Sequence, residues 1–315
     1  MPADYLHNHH QFADLIRIVA QEKGIDPALV EKDYWIMHCL YGLQQLGLTF
    51  QLKGGTSLSK GFKCIDRFSE DIDILIEPPA DRDVKTGPNH DKAAHIESRR
   101  KFYDWLANEK IRIGGFERVE RDTTFDNDKL TSAGIRLFYP THVAAMKGLK
   151  EGVLLEAGFD VVAPNTPKDI SSWLYDYAAG KLPLIDNRAK GVPCYDPGYT
   201  FVEKLQTIST KYRRQQARNE FPDDFMRHYY DVYSLLRRPE VQAFIGVPEY
   251  KAHKEKRFRQ ADNQNIAENQ AFVLSNSETR KAYATAFAGS TALYYGDNPT
   301  FDQVLAEIAK WIDRL

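Results

Sequence analysis

Apolar residues recur with two periods along this chain, and the period changes mark its predicted elements. Phe12, Leu15, Ile16, Ile18 and Val19 fall on one face of a helix over residues 10–23. Asp26 followed by Pro27 is an N-cap with proline at the first helical position, and it opens a second helix towards Leu46. Phe50 and Leu52 then begin a short strand, residues 58–65 return to helical spacing, and residues 71–76 alternate acid with aliphatic residue as a strand does. A polar connection at 78–91 reads as a loop able to fold over a site as a lid. A helix at 91–110 follows, then strands at 115–121, 130–139 and 152–159, the first two joined by turn chemistry. A helix at 170–179 and a Gly- and Pro-rich loop at 180–198 close the strand-bearing part. From there the pattern is nearly all helical, at 198–214, 221–237, 239–244, 277–289 and 299–315. The very polar tract 253–269 reads as a mobile loop or an exposed helix. This predicts an α/β (α+β) protein with a mixed-sheet lobe over residues 1–190 and a helical lobe over 191–315 that closes a cleft over it.

The densest chemistry lies in residues 51–77. Side chains at i and i+2 of a strand share a face about 6–7 Å apart, so Asp71 and Asp73 face the same space while Ile72 and Ile74 are buried behind them. Two ionised carboxylates on one face repel unless a cation lies between them, and hard oxygen ligands suit Mg²⁺. One short helix upstream, Gly54 and Gly55 let backbone N–H groups approach a phosphate, with Thr56 and Ser57 as further donors. Lys53, Lys60, Arg67 and Ser69 complete a candidate nucleotide site. Alone, a Gly-Gly is a turn and an Asp-x-Asp is commonly an exposed edge; it is their spacing that carries the reading. Neither a P-loop nor a Gly-x-Gly-x-x-Gly turn is present. Glu156, a single acid in the apolar run 152–159, either meets a basic partner at a sheet edge or ligates a cation, and Asp160 is its weaker rival.

Gly-Gly-Thr/Ser, a short helix and Asp-x-Asp on a strand resemble the DNA polymerase β-type nucleotidyltransferase superfamily. The longer stretches EKDYWIMHCL, LKGGTSLSKGF and RFSEDIDILI resemble a narrower group, the AbiEii/AbiGii (MenT-like) nucleotidyltransferase toxins of bacterial abortive-infection and toxin–antitoxin systems. The resemblance implies transfer of a nucleoside monophosphate from an NTP. Asp71, Asp73 and Glu156 would hold two Mg²⁺ ions, with the third acid, on a separate strand, completing the metal set. It further implies an RNA acceptor, most simply a tRNA 3′ end, and a cognate antitoxin encoded beside the gene. Lys204 and Asp231 lie in segments that resemble the family's later motifs, which implies functional roles; from the residues alone, a structural Lys204–Asp231 ion pair is equally consistent. Glu31, Lys32 and Asp33 read as a solvated helix face, or as a brace of the nucleotide site by the same resemblance.

Lys211, Arg213, Arg214 and Arg218 surround Tyr212 and suit RNA phosphates with a stacked base, or simply a solvated helix end. A net charge of −2 neither announces nor excludes a nucleic-acid partner. With 43% hydrophobic and 27% charged residues and no apolar run of membrane length, the composition is that of a globular protein without a membrane span. Its three cysteines lack metal-type spacing and fit a reduced, cytoplasmic setting. His7, His9 and His10 read as a flexible polar N-terminus rather than a metal site. Ser69, two residues before Asp71, is where a phosphate would disturb the metal site by charge. The competing readings are a protein-nucleotidylylating enzyme, a non-catalytic RNA- or protein-binding relative, and a phosphatase or kinase.

Overall fold

A computed structural model describes residues 2–87, 89–218, 220–221 and 224–315. The chain divides into two compact units, Met1–Gly61 with Phe68–Tyr195, and Phe62–Arg67 with Asp196–Leu315.

The first unit begins with α1 (Phe12–Lys23), which buries Phe12, Ile16, Val19 and Ala20 at helical spacing and ends at Gly24 in the left-handed conformation, φ 64°. Asp26 caps α2 (Pro27–Gln45) by accepting from the Ala28 amide at 2.8 Å. Then come β1 (Phe50–Lys53), the short α3 (Gly54–Thr56), which runs on as a π-helical turn over Ser57–Gly61, and β2 (Asp71–Ile76). After α4 (Ala93–Trp105) the chain forms β3 (Arg118–Asp122), β4 (Ser132–Phe138), β5 (Val153–Gly158), β6 (Asn165–Ile170), α5 (Trp173–Ala178) and β7 (Ala189–Tyr195). The strands make one mixed seven-stranded sheet in the order β3-β4-β5-β2-β1-β7-β6. β2 runs parallel to β5 and β1 parallel to β7; the other neighbours are antiparallel. The mixed α/β architecture expected from the alternation of periods is the one observed.

Three expectations are corrected. The helix read over 58–65 stops at Gly61, because Phe62–Arg67 leave the first unit and join the second, where Arg67 bridges to Tyr294. The loop read over 180–198 holds β7, and β6 was not read at all. Both strands carry proline (Pro167 opposite Pro193), which disguises them as loop, and their pairing across the sheet supplies what local propensity does not. The N-terminus is ordered: Leu6 is buried, and His7 Nδ1 lies 2.8 Å from the Tyr34 hydroxyl, where burial brings the imidazole pKa down to about 4. The stretch after β2 is a loop, as read, and it is tied to α4, since the buried Arg99 donates to the carbonyls of Lys85 (2.6 Å) and His90 (3.0 Å).

The second unit is helical: α6 (Pro197–Arg218), α7 (Phe225–Leu236), α8 (Pro239–Phe244), α9 (Pro248–Arg257), α10 (Gln270–Val273), α11 (Ser277–Gly289) and α12 (Phe301–Ala309). The predicted start of the 221–237 helix falls partly on residues 222 and 223, outside the described residues. Phe201, Leu205, Tyr229, Leu235, Tyr283, Phe287 and Val304 form its core. The polar tract 253–269 carries the end of α9 and is fastened by buried Asp262, Ile266 and Asn269, so it is neither mobile loop nor exposed helix alone. No helix among the described residues is long and apolar enough to cross a membrane.

Candidate active site

Strand register gathers the acids. Asp73 pairs laterally with Lys53 of β1 and with Glu156 of β5, and Glu156 pairs with Gly134 of β4. Lateral neighbours in a sheet point to the same face, so Lys53, Asp73 and Glu156 stand side by side, with Gly134 adding no side chain at the end of the row. Asp71, two residues before Asp73, shares that face, while Ile72 and Ile74 are wholly buried on the other. Asp73 and Glu156 are half-buried; Asp71 is buried. Asp71 Oδ2 accepts from Lys150 Nζ at 2.6 Å, and its Oδ1 is buried with no hydrogen-bond partner. Among the described residues, no three His, Cys, Asp or Glu side chains converge as a ready-made metal cage. The donor set still fits a hard cation: carboxylates on one face, one of them with an unsatisfied buried oxygen.

Gly54 borders this row. Its φ of +68° is strained for any other residue, and a Cβ there would collide with Asp73 Oδ2. Gly55, Thr56 and Ser57 follow as the first turn of α3 and its π-helical continuation. The Thr56 hydroxyl donates to the Asp71 carbonyl (2.5 Å) and that of Ser57 to the Tyr195 carbonyl (3.2 Å), both fully buried. These hydroxyls therefore hold the turn to β2 and β7 rather than facing outward. Lys60 donates to Asp33 Oδ1 at 2.6 Å, and Ser69 is half-buried just before β2.

Three successive charges of α2 each hold a partner outside the helix. Glu31 accepts from the His142 amide at 2.8 Å; burial raises its pKa against the pull of that partner. Lys32 donates to the Lys150 carbonyl at 2.6 Å and lies 3.7 Å from Glu70, with burial bringing its pKa down to about 8. Asp33 holds Lys60 and accepts from the Trp173 amide at 2.8 Å, and burial raises its pKa despite Lys60. All three are buried, so the solvated-face reading of this turn is corrected. Lys150, Glu70 and His142 were not singled out from sequence; no motif links residues so far apart along the chain.

In the second unit the structure joins Arg67, Lys204 and Asp231. Arg67 grips Asp231 with two parallel hydrogen bonds of 2.6 and 2.8 Å, and Lys204 Nζ lies 3.1 Å from the same carboxylate. Burial alone would raise the Asp231 pKa, but the two cations outweigh it and hold the carboxyl below its usual value. Burial lowers that of Lys204 against the pull of Asp231. In the basic run on α6, Arg213, Arg214 and Arg218 are exposed and Lys211 is half-buried. Arg213 also binds the buried Asp262 at 2.9 Å.

Comparison with curated proteins yields no match. Among solved structures, the chain aligns with an antigenic nucleotidyltransferase-like protein from Paracoccidioides brasiliensis at 14% identity and a TM-score of 0.36, covering 73% of this chain and 94% of that one. A family profile described as nucleotidyl transferase AbiEii toxin, type IV TA system, matches residues 36–307, which takes in the glycine turn, the carboxylate strands, Lys204 and Asp231. With most of its length matched, the chain belongs to the AbiEii nucleotidyltransferase toxin family.

Proposed function

We propose that this nucleotidyltransferase transfers a nucleoside monophosphate from an NTP to the 3′ end of an RNA, a tRNA in the simplest case, and that a cognate antitoxin restrains it. The observation that carries the reading is the row Lys53–Asp73–Glu156 beside Asp71, whose buried Oδ1 has no partner, next to a glycine that no other residue could replace without striking Asp73. Asp71, Asp73 and Glu156 would hold Mg²⁺. When bound, the metal would neutralise the triphosphate and lower the pKa of the attacking hydroxyl. Lys53 offers a further positive charge to the phosphates, and Gly54 leaves room for the Asp73 carboxylate. The acceptor oxygen forms a bond to the α-phosphorus, the bridge to the β-phosphate breaks, and pyrophosphate leaves. Exposed Arg214 and Arg218 supply cations suited to an RNA backbone.

The test incubates purified protein with Mg²⁺, total tRNA and each α-³²P-labelled NTP in turn, with Asp71→Ala as control, on a denaturing gel. A labelled tRNA-sized band that the control lacks is expected. Label in protein instead would move the acceptor to a polypeptide, and no label under any condition would refute nucleotidyl transfer.

A further inference from the structure

Lys150 lies outside every strand and helix, yet both of its main-chain polar groups are held by buried charges. Its amide donates to Glu70 Oε2 at 2.9 Å, and its carbonyl accepts from Lys32 Nζ at 2.6 Å. Lys32 and Glu70 are themselves an ion pair at 3.7 Å with side chains 0% and 4% exposed. Two residues later, Gly152 has φ +63°, and a Cβ there would come within 2.6 Å of the Leu137 carbonyl, which fixes the turn into β5. An ordinary surface lysine loses side-chain entropy to hold an ion pair and gains little. Here the backbone is fastened in advance and the ammonium is aimed at Asp71 Oδ2, 2.6 Å away, with Glu70 Oε1 at 3.8 Å and the Phe125 ring at 5.3 Å.

We propose that Lys150 couples metal binding to nucleotide binding at this site; the inference rests on the carboxylate row being the metal–triphosphate site. A divalent cation arriving alone at Asp71 meets the charge of a fixed ammonium and must share or displace it. A cation arriving with a triphosphate brings several negative charges, which give Lys150 a further anionic partner and cancel the repulsion. Lys150 thus disfavours the bare cation and favours the metal–nucleotide complex. It acts as a positioning residue for substrate loading.

Mn²⁺ binding followed by electron paramagnetic resonance tests this in the full-length protein, alone and with each α,β-methylene nucleoside triphosphate. In the wild type, nucleotide should tighten Mn²⁺ binding. Lys150→Met should bind Mn²⁺ alone about tenfold more tightly and lose a similar factor of the nucleotide coupling, roughly the effect of one close charge. Lys150→Arg should keep the coupling, and Lys147→Met, which removes an exposed charge from the same loop, should match the wild type. Lys150→Gln stands in should the methionine variant not fold. If both neutral variants bind bare Mn²⁺ no better than the wild type, the inference is overturned, while nucleotide-dependent Mn²⁺ binding lost in Asp71→Asn keeps the functional reading intact. If the wild type binds no Mn²⁺ even with nucleotide, both fall.

Discussion

Removing Asp231 is the sharpest single perturbation of the second unit. Its side chain is fully buried between Arg67, 4% exposed, and Lys204, 12% exposed. Asp231→Ala deletes the negative charge that both contacts share and leaves two cations close together in a poorly hydrated site. Breaking a buried ion pair from one side costs about 3–5 kcal/mol, because the uncompensated charge is what remains. That is a large fraction of a stability of roughly 5–15 kcal/mol, and at about 2–4 °C per kcal/mol it lowers the melting temperature by roughly 10 °C. The measurement is guanidinium and thermal unfolding by circular dichroism, at pH 7 and in acid. The sign in acid follows from the lowered pKa of Asp231: its contribution is fully present above the unfolded carboxyl pKa and disappears as pH falls through the lower folded value. Asp231→Asn should therefore show a flatter acid limb than the wild type. Replacing the whole triad, Arg67→Met with Lys204→Met and Asp231→Leu, should recover most of the loss, since apolar substitutes remove the charges together. A cost below about 1 kcal/mol for Asp231→Ala would refute the reasoning. Normal stability in the triple variant with transfer abolished would assign the triad to function as well as to folding.

Three further outcomes follow. Gly54→Ala meets both an unfavourable φ and the Asp73 carboxylate, so it should cost about 1–3 kcal/mol and weaken Mn²⁺–nucleotide binding at least about tenfold; unchanged binding would separate the glycine from the site. Lys32, whose pKa burial brings from 10.5 to about 8, binds fewer protons folded than unfolded between those values, so its cost is relieved as pH rises from about 8 towards 10.5. The wild type should gain roughly 3 kcal/mol relative to Lys32→Met across that window in urea titrations, and equal slopes for the two proteins would contradict the burial argument. Cys39, Cys64 and Cys194 are all buried, with thiol pKa values pushed up by burial; a thiol reagent at pH 8 should label none of them before unfolding, and prompt labelling would place at least one at the surface.

What the sequence disclosed tracks how local the cause was. Alternation alone placed Asp71 and Asp73 on one strand face, because Ile72, Ile74 and Ile76 must face inward and a strand leaves the other residues no choice. A lone acid among aliphatics singled out Glu156, but nothing in its own segment could show that β5 would lie parallel to β2 with Glu156 beside Asp73. The same limit explains β6 and β7, whose prolines and glycine read as loop until pairing with β1 and with each other gives them a place. It also applies to Arg67, read as part of the nucleotide site, whose bidentate grip on Asp231 joins residues 164 apart in the chain that no local pattern could link. The Lys204–Asp231 pairing, equally consistent with the residues alone, gained a third member only in three dimensions.

The turn Glu31–Lys32–Asp33 shows why charge in a helix cannot be assigned to solvent by default. Successive residues of an α-helix are rotated by about 100°, so three in a row span more than half its circumference and cannot all lie on one exposed stripe. On a helix packed on most sides, at least one such charge is buried, and a buried charge persists only with a partner. Here each of the three has one: His142 and the Lys150 carbonyl from the two ends of the β4–β5 loop, Glu70 from just before β2, Lys60 from the turn after α3 and the Trp173 amide from the start of α5. No single pair of this kind need add much net stability. What three divergent pairs add is geometry: a shift of α2 relative to the sheet would strain all of them together, so the helix fixes where the loops bearing Lys150, Lys60 and Glu70 can sit. The position of the ammonium beside Asp71 is then set by a helix that contributes no residue to the carboxylate row.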